Sequence, residues 1–242
     1  MNEEWKKRSK LYDKLDWTNR QEYMEKFLKM CDLNSKYYLC DIGTGTGTIA
    51  HEVAEYVSKV EAIDISEDML RIARQKNNSQ NISYKIINAE TLNHPPNTFD
   101  CVTARMCFHH INDQKKAVKR CYDVLKPGGK LVISEGIPPA GARRFYTEVF
   151  KLKEKRRTYT IDDLVELLEN ANFKNIDFVV HKMPNVGINN WLENSGLDKK
   201  ICRKIYDMHL DSPGYIKKAY NMKICNGDIY MDWLFAIVSG VK

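Results

Sequence analysis

The sequence predicts an α/β fold in which a mostly parallel sheet alternates with helices, and three observations carry that prediction. An apolar segment, Tyr38-Leu39-Cys40-Asp41-Ile42, runs into a turn with glycine at 43, 45 and 47 that opens a helix. A second apolar segment, Val60-Glu61-Ala62-Ile63-Asp64, follows about twenty residues later and ends in an acid. Short apolar runs then alternate with helix-compatible stretches as far as His181. Such alternation implies right-handed crossovers, with ligands at the carboxyl ends of the strands.

Strands are expected at about 37–42, 60–64, 82–87, 99–104 and 130–135, with a sixth at Asn175–His181 and a last at Ile229–Val238. A helix follows Gly47, and the next begins at Ser66-Glu67-Asp68-Met69, where a serine caps and acids fill the first turn. Thr160-Ile161-Asp162-Asp163 opens another helix on a capping threonine. Residues 1–36 read as one or two amphipathic helices, with Trp5, Leu11, Tyr12, Leu15, Phe27, Leu28 and Met30 near helical spacing. About 45 residues separate the sixth strand from the last. Trp191, Tyr206, Met208, His209, Tyr215, Tyr220 and Met222 give this insertion enough aromatic and sulfur surface to wall a pocket or to form a homodimer contact.

Length and composition fit one domain. With 242 residues, 43% of them hydrophobic, the chain buries one sizeable core, and no linker or repeat divides it. The expected parts are residues 1–36, 37–181 as the core, 182–227 as a helical cap, and 228–242 as the last strand. No apolar run spans a membrane, and no signal-peptide pattern occurs at Met1-Asn2-Glu3-Glu4-Trp5, so a cytoplasmic location is expected. Seven cysteines without a C-x-x-C pair argue against a zinc site and a disulfide framework. The net charge of +6 invites a nucleic-acid reading, but the densest basic run, Lys151–Arg157, reads as a solvated helical face without any RNA-binding signature. Arg143-Arg144, just past the fifth strand, is the better placed pair for attracting an anionic small molecule.

Glycine at 43, 45 and 47 lets the backbone take positive φ and approach a ligand closely. Asp64 can accept both hydroxyls of a ribose. Both features fit an adenosine-bearing ligand, either a nicotinamide dinucleotide or S-adenosylmethionine (SAM). The dinucleotide fingerprint G-x-G-x-x-G puts its third glycine where this chain has Thr48, whereas the pattern here is D-x-G-x-G-x-G. That pattern resembles the first motif of the class I SAM-dependent methyltransferases. Further segments extend the resemblance: Ile87-Asn88-Ala89-Glu90, Thr98-Phe99-Asp100-Cys101-Val102, Phe108-His109-His110-Ile111 and Leu125-Lys126-Pro127-Gly128-Gly129. They are most similar to the small-molecule branch that includes the ubiquinone and menaquinone methyltransferases.

The resemblance implies a Rossmann-like seven-stranded sheet with an antiparallel last strand, SAM as cofactor and a small-molecule methyl acceptor. It implies that Gly43, Gly45 and Gly47 face the methionine end of SAM with Asp41, and that Asp64 takes the ribose. Ile65 and Met69 would flank the adenine, with Asn88, Ala89 and Glu90 at its edge. Arg105 would stand near the methionine moiety and the acceptor. His109 is the candidate base, since histidine can take a hydroxyl proton near neutral pH; an acceptor that is already an anion or carbanion needs none. Tyr12 with Asp13 resembles a pair in the segment that folds over the cofactor in relatives, the alternative being a helix packed on the sheet. Tyr12, His109, Arg143, Arg144 and Trp191 are the candidate acceptor-binding residues, and no metal is expected. O-methylation is slightly favoured; an RNA or protein methyltransferase and a non-catalytic SAM-binding partner are the alternatives.

Overall fold

The computed structural model describes residues 3–77 and 79–242. Met1, Asn2, Asn78 and the side chains of Glu3, Glu4 and Trp5 lie outside the described residues, and the readings at Met1–Trp5 with them.

The strands are β1 (Tyr38–Ile42), β2 (Lys59–Asp64), β3 (Ile82–Ile86), β4 (Phe99–Arg105), β5 (Leu125–Ile137), β6 (Lys174–Gly187), β7 (Lys223–Cys225) and β8 (Asp228–Val241). They form one sheet in the order β3-β2-β1-β4-β5-β8-β6, with β7 paired to β8. The first five pair in parallel and β8 runs antiparallel to both neighbours. The expected seven-stranded topology therefore gains a three-residue strand, which turns into β8 through Asn226-Gly227 with both residues at positive φ. Such a turn matches the twist of an antiparallel pair.

The helices are α1 (Glu3–Ser9), α2 (Gln21–Cys31), α3 (Thr48–Val53), α4 (Glu67–Lys76), α5 (Gln114–Val124), α6 (Arg143–Lys153), α7 (Ile161–Glu169), α8 (Ile188–Glu193), α9 (Lys199–Leu210) and α10 (Gly214–Ala219). Ser66 caps α4 by accepting from the Met69 amide, and Thr160 with Asp163 forms a reciprocal capping box on α7. Successive strand residues enter opposite core layers: Leu39, Cys101 and Val132 on one side, Cys40, Val102, Leu131 and Ile133 on the other. Two buried faces per strand explain why these segments read as continuous apolar runs.

β6 outruns its expected end at His181 and takes the first six residues of the expected cap, 182–187. Its pairing shifts register between Met183 and Val186, around Pro184. An edge strand tolerates proline at such an irregularity, because the missing N–H leaves no ladder bond broken. The four later elements, α8, α9, α10 and β7, bring Trp191, His209 and Tyr220 back over the sheet beside Phe145 of α6.

Candidate active site

Two cavities open at the carboxyl ends of the strands and meet at Tyr12, Met106 and His110. The first lies over β1 and β2. The chain leaving β1 returns across the end of β2, with the Thr44 amide donating to the Ile63 carbonyl (3.0 Å) and the Gly45 amide to Asp64 Oδ2 (2.8 Å). Asp64 Oδ1 accepts from the Ser66 amide at 2.9 Å. Each carboxylate oxygen keeps a further acceptor site toward the cavity it lines. Burial pushes the Asp64 carboxyl up, and its bonds from Ser66 and Gly45 oppose the shift.

Gly45 has φ +56, and a Cβ there would enter open space within the cavity lining, whereas at Gly47 (φ +88) it would strike the His51 ring. The glycine pattern thus serves two purposes. Gly43 and Gly45 line the cavity; Gly47 caps α3 and leaves room for His51 of that helix and Ala73 of α4.

Asp41 sits opposite Thr103 in the β1–β4 register and accepts from its hydroxyl at 2.8 Å. Its other oxygen, Oδ2, is buried and meets no donor in full hydrogen-bond geometry; burial pushes the carboxyl up to about 6, against the pull of the Thr44 and Thr103 hydroxyls. A buried carboxylate oxygen short of well-aligned donors on the cavity wall suits a cationic donor such as the ammonium of an amino acid moiety. Met69, Ile65, Ala89, Asn88 and Glu90 line the remainder. Met69 is buried and Ile65 is half exposed. The Asn88 carbonyl oxygen accepts from the Glu90 amide (2.8 Å) and Glu90 accepts from the Asn112 amide (3.2 Å), so both side chains also hold the local turn. Carboxylate, ribose-competent acid and open glycine fit SAM.

Arg105 leaves β4 buried, not as a surface ion pair: it donates to the Thr18 carbonyl at 2.8 Å between the rings of Trp17 and Tyr23. The N-terminal segment is also tied to the glycine loop, since Thr46 donates to Asp13 at 2.7 Å and Lys76 pairs with Asp13. Tyr12 therefore stands in the walls of both cavities. Met106, at their junction, holds a φ of +55, a conformation that costs a non-glycine residue about 1–3 kcal/mol.

The second cavity is walled by Trp17, Phe145, Phe150, Trp191, Tyr220, Trp233 and Phe235. Its polar side holds Arg8, His109, His110, Lys153, Glu154 and Arg156. His109 Nδ1 lies 2.5 Å from Glu135 Oε2, and the His109 amide donates to Oε1. Burial holds both histidines below their ordinary range and pushes Glu135 up to about 7. Glu154 binds Arg8, Lys153 (2.8 Å) and Arg156 (3.4 Å). Burial outweighs Glu154 at Lys153 and lowers its ammonium to about 8.

The basic run at 151–157 thus departs from the expected solvated face. Lys151, Lys155 and Arg157 are exposed, but the side chains of Lys153, Glu154 and Arg156 are at most 8% exposed. Helix α6 ends at Lys153, and the extended chain beyond it alternates inward and outward, putting 154 and 156 on one side. A switch of period at the helix end was the signal that could have found them. Arg143 and Arg144, by contrast, are exposed and line neither cavity. They sit in the first turn of α6, and Arg143 pairs with Asp163 at 3.2 Å. Trp191 does line the second cavity, against Phe150 and Trp233. His109, His110 and Glu154 come within metal-binding reach of one another, but three cations already hold Glu154, so the set suits a dication poorly.

Residues 40–133 match the family model described as a methyltransferase domain. Over 106 residues the chain is 38% identical to the ubiquinone/menaquinone biosynthesis C-methyltransferase UbiE of Escherichia coli, covering 41% of this chain and 42% of that one. It thus spans about two fifths of the length of the curated relatives it matches. Its fold resembles the YcgJ protein of Bacillus subtilis (TM-score 0.82, 18% identity, 92% of this chain and 99% of that one). It also resembles phosphoethanolamine N-methyltransferase 2 of Haemonchus contortus, solved with phosphomonomethylethanolamine and S-adenosylhomocysteine (TM-score 0.66, 21% identity, 92% and 52%). Residues 40–133 thus carry a match to a methyltransferase domain, and the motif series and the sheet order resemble those of the class I SAM-dependent methyltransferases.

Proposed function

We propose that the chain transfers a methyl group from SAM to a small acceptor with an apolar, largely aromatic body, held in the second cavity. The observation that carries this reading is the meeting of the two cavities at Tyr12, Met106 and His110, one built for an adenosyl amino acid and the other walled by aromatic rings. SAM supplies an electrophilic methyl group on a sulfonium. Asp41 Oδ2 receives its ammonium, Asp64 its ribose, and the Met69, Ile65 and Ala89 side of the cavity its adenine. Tyr12, Trp17 and Arg105 exclude water at the junction, and holding two reactants in line is worth roughly 7–11 kcal/mol of barrier.

Transfer to oxygen is the form we favour. The acceptor cavity ends in His109, oriented by Glu135, and in Lys153 and Arg156, groups that handle the proton or the charge of an oxygen. The names of the relatives span C- and N-methylation and leave the acceptor atom open. An enclosed aromatic cavity favours a small ligand over a polymer. Among the described residues no helix is long and apolar enough to cross a membrane.

The test is turnover of methyl-labelled SAM against a library of small aromatic acids, phenols and amines, with products identified by mass. Labelled product together with S-adenosylhomocysteine is expected. Transfer to RNA or protein, with none to any small acceptor, would overturn the reading.

A further inference from the structure

Two side-chain donors on the wall of the second cavity are buried without a hydrogen-bond partner: Trp17 Nε1 and Arg156 Nη2. The cavity holds no comparable orphaned acceptor among the described residues. Arg156 is locked in place: Nη1 reaches Glu154 Oε1 (3.4 Å), the guanidinium lies 4.3 Å over the Phe150 ring, and its side chain is 3% exposed. Nη2 stands 3.9 Å from Glu135 Oε2, beyond hydrogen-bond reach, and that oxygen is already taken by His109. Glu154 already holds Arg8 and Lys153 beside Arg156, so neither nearby carboxylate saturates the Arg156 guanidinium. A buried guanidinium edge with a free donor has one natural complement, the oxygen of an anion.

We propose that Arg156 is the specificity-determining residue of the acceptor cavity and binds an oxyanion, carboxylate or acidic phenolate, on an otherwise apolar acceptor. The aromatic walls take the body, and Arg156 Nη2 takes the charged oxygen with Lys153 beside it. Arg143 and Arg144 play no part, being on the outer surface. A bond from the Arg156 guanidinium favours the ionised acceptor, which then reaches the methyl donor without giving a proton to the protein. This assignment rests on the reading of the second cavity as the acceptor site.

The test uses the full chain saturated with S-adenosylhomocysteine, whose binding is first measured by calorimetry, and two probes. The first is 2-naphthoate against its neutral isostere 2-naphthamide, read by quenching of tryptophan fluorescence, since Trp17, Trp191 and Trp233 line the cavity. Naphthoate should bind at least about tenfold tighter, as expected for a charge-assisted bond. Arg156→Met should erase that preference while S-adenosylhomocysteine affinity stays the same, and Arg156→Lys should restore part of it. The second probe, 4-nitrophenol, needs no variant: bound to the wild-type chain, its visible absorbance should report the phenolate at a lower pH than in water.

The two arms separate the carboxylate from the phenolate source. Equal affinity for acid and amide with no acid shift of nitrophenol would overturn the assignment, as would a preference that survives Arg156→Met. Failure of both probes to bind a chain that holds S-adenosylhomocysteine would also overturn it. Failure of S-adenosylhomocysteine itself to bind would instead strike the methyltransferase reading.

Discussion

Arg105 donates from Nη1 to the backbone carbonyl of Thr18 at 2.8 Å, so the end of β4 and the N-terminal segment share one buried hydrogen bond. The same segment reaches the glycine loop through Asp13 and Thr46. Arg105→Met keeps the bulk between Trp17 and Tyr23 but leaves the Thr18 carbonyl without its donor, at a cost of about 1–3 kcal/mol. Faster amide exchange over residues 12–18 and weaker SAM binding are expected. Unchanged exchange would show that the segment is held without the Arg105 bond.

Gly45→Ala and Gly47→Ala should separate binding from folding. At Gly47 a Cβ would strike the His51 ring at a positive φ, so thermal stability should fall by an amount on the order of 2–3 kcal/mol. At Gly45 the new methyl meets open space, leaving about 1–2 kcal/mol of backbone strain, in the lining of the first cavity, where we propose SAM binds. There SAM affinity should fall more than stability does. Equal losses of both quantities in the two variants would contradict the division.

Asp41 gives the pH prediction. Its carboxyl is raised by burial to about 6 from an ordinary 3.8, so the folded chain binds a proton that the unfolded chain has lost between these values. Stability of the ligand-free protein should therefore fall as pH rises from about 4 to about 6, by roughly 3 kcal/mol from this group. Asp41→Asn should remove that portion of the slope; Glu135, raised to about 7, leaves a similar slope at slightly higher pH. SAM affinity should rise over the same window, because its ammonium needs the carboxylate. An identical slope in Asp41→Asn would refute the assignment.

His109 is held neutral by burial, with Nδ1 on Glu135. His109→Ala should lower turnover if the imidazole takes a proton from a neutral hydroxyl acceptor, while SAM binding is unaffected. Full activity with an acceptor that is already ionised would move the charge-handling role to Arg156.

Much of the architecture was legible because its signals are local. Alternating glycines after β1, the terminal acid of β2 and the caps at Ser66 and Thr160 each depend on near neighbours in sequence, and each lies where expected. The last strand was foreseen as antiparallel, yet its hairpin partner β7 was not, since three exposed residues carry no periodicity. Pro184 concealed the far end of β6 because proline ordinarily ends a strand, and only the edge position accommodates it. The second cavity was the least legible part. Arg143 and Arg156 are both arginines in basic stretches, but Arg143 is exposed in the first turn of α6, whereas the alternation of the extended chain beyond its end turns Arg156 inward. The link between Arg105 and Thr18 spans 87 residues and has no sequence signature.

The most direct measurement is calorimetric titration of the purified chain with SAM, S-adenosylhomocysteine and NAD, repeated on Asp64→Ala. Both SAM and its product should bind and NAD should not, and Asp64→Ala should lose roughly 1–3 kcal/mol of SAM affinity through the ribose contact and the untied Gly45 amide. A folded wild-type chain that binds neither SAM nor S-adenosylhomocysteine, or an Asp64→Ala chain that binds SAM as tightly as the wild type, would contradict the account.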